Sequence, residues 1–157
     1  MKGKIIKKKA AHKAAKPHAA PAKYETMQAP AGLPETVKLA VKALNDKKGE
    51  DIKVLDVRAA TPMWDYFIVC GGTSTVHTGA LRDNLKKDMA AAGYTIAHED
   101  RDHEHKWLVV DFGDILVHLF ERETRGYYNL EAIWSGHEAD ISALIKGDEH
   151  EKSEHKA

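Results

Sequence analysis

The spacing of apolar residues predicts a helix followed by two strands where the ordered part of the chain begins. After Leu33, apolar residues recur at helical spacing until a glycine ends the pattern: Val37, Ala40, Val41, Leu44 and Gly49. Residues 52–57 have the composition of a strand, and a loop containing Pro62 follows. The continuous apolar run at residues 66–70 has the length of a strand, which indicates a central strand buried on both faces.

A second helix and three further strands are predicted in the next fifty residues. The helix follows the turn at residues 71–74 and buries a stripe of Leu81, Leu85 and Met89. Residues 94–97 form a short predicted strand, and residues 98–105 a very polar loop. The strands at residues 106–112 and 115–120 are separated only by a Gly-Asp pair, which is typical of a hairpin.

The C-terminal part of the pattern is helical. One short helical region contains Tyr127, Tyr128, Leu130, Ile133 and Trp134, and a second covers residues 138–145. The element order α-β-β-α-β-β-β-α predicts an α/β domain whose mixed five-stranded sheet is flanked by helices. Strand two, helix two and strand three are expected to form a βαβ-like unit.

Charge divides the chain into three parts. Residues 1–32 contain eight Lys and one acid, and twenty of them are Lys, Ala or Pro, so we expect a disordered basic arm. Residues 33–146 form the predicted domain, with a net charge of −5. Residues 147–157 form an acidic, His-containing tail that is also expected to be disordered. The basic arm at residues 1–32 is attracted to phosphate, as in ribosomal RNA, or it serves only solubility.

Cysteine content and hydropathy restrict the cellular setting. Cys70 is the single cysteine, so no intrachain disulfide can form, and secretion is not indicated. No apolar run reaches the roughly 18–20 residues that a bilayer requires. The N-terminus has no apolar signal-peptide core. We therefore predict no membrane association and a cytoplasmic location, with an organelle as the open alternative.

A series of short motifs resembles one known family. They are Val54-Leu55-Asp56-Val57, Asp65-Tyr66-Phe67, Gly72-Thr73-Ser74 with His77, Trp107, Asp111-Phe112-Gly113-Asp114, Val117-His118, Arg125 with Tyr128, and Leu130-Glu131 with Trp134. In this order and spacing, over residues 33–136, the chain resembles the ribosomal silencing factors, also called the Iojap-like family. The basic arm and the acidic tail lie outside the resemblance.

The resemblance implies a function that depends on binding. It implies a dimeric α/β protein with a nucleotidyltransferase-like fold and no enzymatic activity. Family members bind ribosomal protein fourteen of the large subunit on the intersubunit face, block joining of the small subunit and lower translation. Organellar relatives assist assembly of the large subunit, and this role is the alternative.

Trp107 is the first candidate contact with such a partner. Strand alternation places Trp107, Val109 and Asp111 on one face, opposite a more apolar face of Leu108, Val110 and Phe112. This leaves Trp107 and Val109 near solvent or under a partner, and the resemblance places the ribosomal contact at Trp107. We therefore expect Trp107→Ala to weaken binding while the domain stays folded. A core Trp under the preceding loop is the alternative.

Four polar residues complete the predicted partner-binding set. Asp111 and Asp114 flank Gly113 in a tight turn, where they are either ordinary hairpin residues or carboxylates that face the Lys and Arg of a partner. Asp65 precedes the buried strand and requires a polar partner, either His118 or Arg125. Whether Asp65 and His118 form a structural pair or contribute to the binding surface stays open. Two uses of the aromatic C-terminal element also stay open. It either docks on the chain's own sheet or contributes to a homodimer surface.

The sequence offers little support for catalysis, a metal or a cofactor. The turn at residues 71–74 could hold an anion at a helix N-terminus, but the first acid after it is Asp83, and no second acid accompanies it. A divergent nucleotidyltransferase would need another carboxylate pair, such as Asp111 with Asp114 or Asp56 with Asp65. His103 and His105 are more typical of a solvated loop than of a zinc site. We predict no enzyme activity, no metal and no cofactor.

Removal of the basic arm tests its role. If Lys side chains of residues 1–32 contact ribosomal RNA, a chain that begins at Leu33 should bind the large subunit more weakly and with a shallower salt dependence, because fewer counterions are released. The measurement is the affinity for purified large subunits between about 50 and 200 mM salt. The same salt slope with and without the arm would contradict an RNA contact.

Overall fold

The structure, a computed structural model, describes residues 32–145. The first half of this range contains α1 (Glu35–Asp46), β1 (Glu50–Asp56), β2 (Tyr66–Gly72) and α2 (Thr75–Ala91). The second half contains β3 (His98–Arg101), β4 (Trp107–Asp111), β5 (Ile115–Glu121), α3 (Arg122–Tyr128), α4 (Leu130–Ile133) and β6 (Glu138–Ala139). The disorder predicted for residues 1–32 and 147–157 lies, apart from residue 32, outside the described residues.

The strands form one mixed sheet in the order β3-β4-β5-β2-β1-β6. β2 and β5 run parallel, with Tyr66 opposite Ile115 and Gly72 opposite Glu121. The other neighbours are antiparallel. This confirms the predicted mixed α/β class. The described sheet has six strands rather than five because Glu138 and Ala139, predicted as helix, pair with β1.

Two predictions around β3 were wrong. Residues 94–97 connect α2 to the sheet and pack Tyr94 and Ile96 against the core, but they form no strand. The strand is His98–Arg101, in the predicted polar loop. β3 is an edge strand that pairs only with β4, so its side chains stay partly exposed and need no apolar run. The predicted βαβ-like unit of strand two, helix two and strand three was also wrong. The parallel partner of β2 is β5, and the crossover between them contains α2 together with the β3–β4 hairpin.

Both faces of the sheet are buried, each under a different cover. Helices α1 and α2 cover one face, where Leu44, Leu81 and Leu85 pack among the strand side chains. The other face carries a second cluster, here called the aromatic layer: Trp64, Phe67, Trp107 and Phe120, with aliphatic neighbours such as Leu55 and Leu116. Tyr128, Leu130 and Trp134 from the α3–α4 region cover this layer.

Trp107 and Val109 lie inside the aromatic layer, so the prediction that they are accessible was wrong. Trp107 is fully buried and Val109 is 1% exposed. The Trp107 ring stacks on Phe120 at a centroid distance of 5.0 Å and contacts Tyr128 at 5.1 Å. The predicted alternation was correct, but the face that carries Trp107 is covered by α3 and α4 and is not open to solvent.

This burial predicts a stability effect for Trp107→Ala. We expect a loss of about 3–5 kcal/mol in the free energy of unfolding, because truncation leaves a cavity in the aromatic layer. Urea denaturation measures it, and Tyr127→Ala, at a side chain that is 82% exposed, is the matched control, with a change of about 0.5 kcal/mol or less. A Trp107→Ala protein as stable as the control would place Trp107 outside the core.

Candidate functional site

Three of the predicted site residues, Asp65, Asp111 and Asp114, lie at one end of the sheet. There the backbone N–H of Asp65 donates to the backbone carbonyl of Asp114 over 2.8 Å. Asp111 ends β4 on the other side of the hairpin turn. Asp114 is exposed, Asp65 half-buried and Asp111 fully buried. We call Asp65 and Asp114 the acidic corner, and Asp111 lies in the aromatic layer behind it.

The carboxyl group of Asp111 shapes the hairpin with one oxygen only. Its Oδ1 accepts a hydrogen bond from the Gly113 N–H over 2.8 Å and a longer one from Trp64 Nε1 over 3.4 Å. Gly113 has φ of +100°, which explains the glycine at this turn. Oδ2 is also buried but has no hydrogen-bond partner among residues 32–145. Turn chemistry therefore accounts for Gly113 and Oδ1 but not for Oδ2.

His118 lies in the aromatic layer beside Trp107. It is 1% exposed, and its Nδ1 accepts a hydrogen bond from Trp107 Nε1 over 3.2 Å. The Phe67 ring meets the His118 ring edge-on, with a centroid distance of 5.2 Å. His118 is thus a polar member of the core that holds Trp107 in place.

Arg125 fastens the cover of the aromatic layer and does not serve as the partner of Asp65, so that alternative was wrong. Its guanidinium donates to the backbone carbonyls of Glu50 and Asp51 over 2.9 and 2.6 Å. It also donates twice to Oε1 of Glu131, over 3.0 and 2.7 Å. Its side chain is only 10% exposed. These bonds join α3 to α4 and to the start of β1, at the end of the sheet opposite Asp65.

The aromatic C-terminal element divides into an inner and an outer part. Tyr128 and Trp134 dock on the chain's own sheet, against Trp107 and Phe67. Tyr127 and Ile133 point outward and are 82% and 71% exposed. We call Tyr127 and Ile133 the outer patch. Each of them directly precedes a packed aromatic residue in the chain, Tyr128 or Trp134, which makes this region a candidate binding surface.

The turn before α2, which could have held an anion, is occupied by the chain's own side chains. Ser74 caps the helix by accepting from the His77 N–H over 3.1 Å, and Nδ1 of His77 accepts from the Thr73 N–H over 2.9 Å. These N–H groups therefore already have acceptors. Asp83 is exposed and pairs with Arg82. This turn is therefore a capped helix start.

Neither carboxylate pair that a nucleotidyltransferase would need forms an open site. Arg58 binds both oxygens of Asp56, at 3.0 and 2.8 Å. Burial raises the pKa of Asp56, but the hydrogen bonds from Arg58 outweigh it and leave that pKa below its usual value. In the other pair, Asp111 is buried and Asp114 exposed. Among residues 32–145, no three His, Cys, Asp or Glu side chains are grouped as a metal site.

Two remaining features concern Cys70 and the membrane. Cys70 is fully buried in β2, and burial raises the pKa of its thiol to about 12, as expected of an inert core residue. None of the helices between residues 32 and 145 is long and apolar enough to cross a bilayer.

Sequence reasoning missed the role of Trp64. This residue lies in the loop between β1 and β2 and is 4% exposed. Its Nε1 donates to Oδ1 of Asp111 over 3.4 Å, and its ring meets Phe67 edge-on at 5.6 Å. The available signal was the apolar pair Met63-Trp64 directly before Asp65, at the end of a loop that otherwise contains mostly small and polar residues.

Known relatives share this domain. A protein of Halalkalibacterium halodurans named ribosomal silencing factor RsfS is 35% identical over 100 residues, which cover 64% of this chain and 86% of that protein. A mouse protein named mitochondrial assembly of ribosomal large subunit protein 1 is 33% identical over 103 residues, covering 63% of this chain and 45% of that protein. A crystal structure of a Chromobacterium violaceum protein has a TM-score of 0.62 and 34% identity, covering 69% of this chain and 90% of that one.

The family assignment rests on a match that includes the whole described domain. The family model "Ribosomal silencing factor during starvation" matches residues 30–157. This range contains the sheet, both of its covers, the acidic corner and the outer patch. The chain belongs to the ribosomal silencing factor family.

Proposed function

We propose that this protein binds the large ribosomal subunit and blocks joining of the small subunit, which represses translation. The family match over residues 30–157 is the observation that carries this proposal. Blocking of this kind requires occupancy of a surface and no chemistry. It agrees with a domain whose acidic side chains are buried, paired with arginine or dispersed at the surface.

The proposed partner is ribosomal protein fourteen of the large subunit, contacted on the intersubunit face. The predicted domain carries a net charge of −5, which favours encounter with a basic protein. Asp65 and Asp114 of the acidic corner would contact the partner directly. Trp107, Val109 and His118 would act from beneath, by holding Tyr128 and thereby the neighbouring outer patch in position.

The outer patch replaces Trp107 as the proposed apolar anchor. Tyr127 and Ile133 are accessible and Trp107 is not. An aromatic and an aliphatic side chain surrounded by polar residues have the composition of an interface hot spot. The same proposal includes a cytoplasmic homodimer whose Lys-rich arm contacts ribosomal RNA.

Assembly of the large subunit is a second candidate function. The name of the mouse relative, which refers to mitochondrial assembly of that subunit, favours it. Both functions would use the same partner surface and differ in timing. Sucrose-gradient fractionation separates them, because a silencing factor travels with mature large subunits and an assembly factor with their precursors.

A subunit-joining assay tests the proposed function. Purified subunits mixed with an excess of this protein should yield fewer joined ribosomes. The double substitution Tyr127→Ala and Ile133→Ala should weaken binding by about 2 kcal/mol and relieve the block, because it removes the apolar anchor.

Val76→Ala is the matched control, since Val76 is 81% exposed on α2, which covers the other face of the sheet. Undiminished joining in the presence of excess wild-type protein would overturn the proposed function. If the double variant blocks joining to the same extent as Val76→Ala, the outer patch is not part of the binding surface.

A further inference from the structure

Resting on the proposed function, we propose that Oδ2 of Asp111 is the docking position for an arginine side chain of the partner, and that Trp64 covers this position before binding. Asp111 would then form the buried inner end of a surface whose rim is the acidic corner.

The burial of Asp111 is the first observation. A fully buried carboxyl oxygen without a hydrogen bond has lost its hydration and received nothing in exchange, which is unfavourable. Oδ1 alone satisfies the Gly113 turn. A second acceptor at this position therefore serves no purpose in the hairpin, whereas a guanidinium that reaches Oδ2 would gain a charge-assisted hydrogen bond.

The contact between Trp64 and Asp111 is the second observation. Trp64 is attached to Asp111 by a single hydrogen bond of 3.4 Å, close to the limit for such a bond. The backbone of its loop is fixed independently, because the Val57 N–H donates to the Asp65 carbonyl over 3.0 Å and the Thr61 N–H to the Val57 carbonyl over 2.9 Å. The proposed uncovering of Asp111 therefore requires a change of the Trp64 side-chain rotamer only, with the loop backbone in place.

The surroundings select arginine. Asp65 follows Trp64 directly in the chain, and its backbone is bonded to that of the exposed Asp114, so two further carboxylates near Asp111 favour a cationic partner. The indole of Trp64 packs edge-on against Phe67, and Trp134 meets the same ring at 5.4 Å. A planar guanidinium that replaces the indole can stack among these rings as well as donate to Oδ2, which the compact ammonium of lysine cannot do.

The test compares Asp111→Asn with the wild-type protein. Asparagine keeps the shape and one carbonyl acceptor for Gly113 but places an amide N–H where Oδ2 was, which opposes a guanidinium donor. We expect the affinity for purified large ribosomal subunits to fall about 10-fold or more, the scale of losing a buried charged hydrogen bond. The midpoint of urea denaturation should be unchanged or higher, a combination that a purely structural role of Asp111 would not produce.

Asp83→Asn is the matched control, because the Asp83 side chain is 70% exposed on α2, and its affinity should equal that of the wild type. Trp64→Phe is the second variant and keeps the inference testable if Asp111→Asn does not fold. It retains an aromatic ring but lacks the N–H that reaches Asp111, so it should bind as tightly as the wild type or more tightly.

If large subunits bind the wild-type protein and Asp111→Asn equally well, this inference fails while the proposed function stands. Weaker binding of Trp64→Phe at unchanged stability would also overturn it, since Trp64 would then be a contact and not a cover. If large subunits do not retain the wild-type protein, the proposed function itself fails.

Discussion

The need to cover the sheet on both faces determines how the rest of the domain is built. The central strand β2 is buried along its whole length, so neither face can be left to solvent. Two long helices meet this need on one face. On the other face the described cover is the loop containing Trp64 and the two short helices α3 and α4, which are too short to be stable alone. The buried guanidinium of Arg125 compensates by joining both short helices to the start of β1.

This arrangement links folding to the proposed binding surface. Tyr128 and Trp134 are part of the cover, and Tyr127 and Ile133 are its outer surface. Because the same short helices pack inward and face outward, anything that loosens the aromatic layer also displaces the outer patch. A substitution in the layer can therefore reduce ribosome binding without removing any contact, so every binding measurement needs a parallel stability measurement.

Hydrophobic periodicity was sufficient for the main elements and insufficient for their surroundings. It located both long helices, the buried strand β2 and the β4–β5 hairpin, because each buries a regular pattern of apolar side chains. It missed β3, because this strand is polar and is defined only by its backbone pairing with β4. It assigned Trp107 correctly to one face of β4 but gave no information on what covers that face, since the cover comes from α3 and α4. The partners of Arg125 were equally hidden, because two of them are backbone carbonyls of the distant residues Glu50 and Asp51.

The parallel pairing of β2 with β5 has a consequence for synthesis of the chain. Tyr66 lies opposite Ile115, so the central strand receives this neighbour only after the intervening helix and hairpin have been translated. Until then a segment that is apolar on both faces has an open edge, a state prone to aggregation. A nascent chain that stops before β5 should therefore depend on chaperones, and the domain can complete its fold only when nearly all of it has left the ribosome.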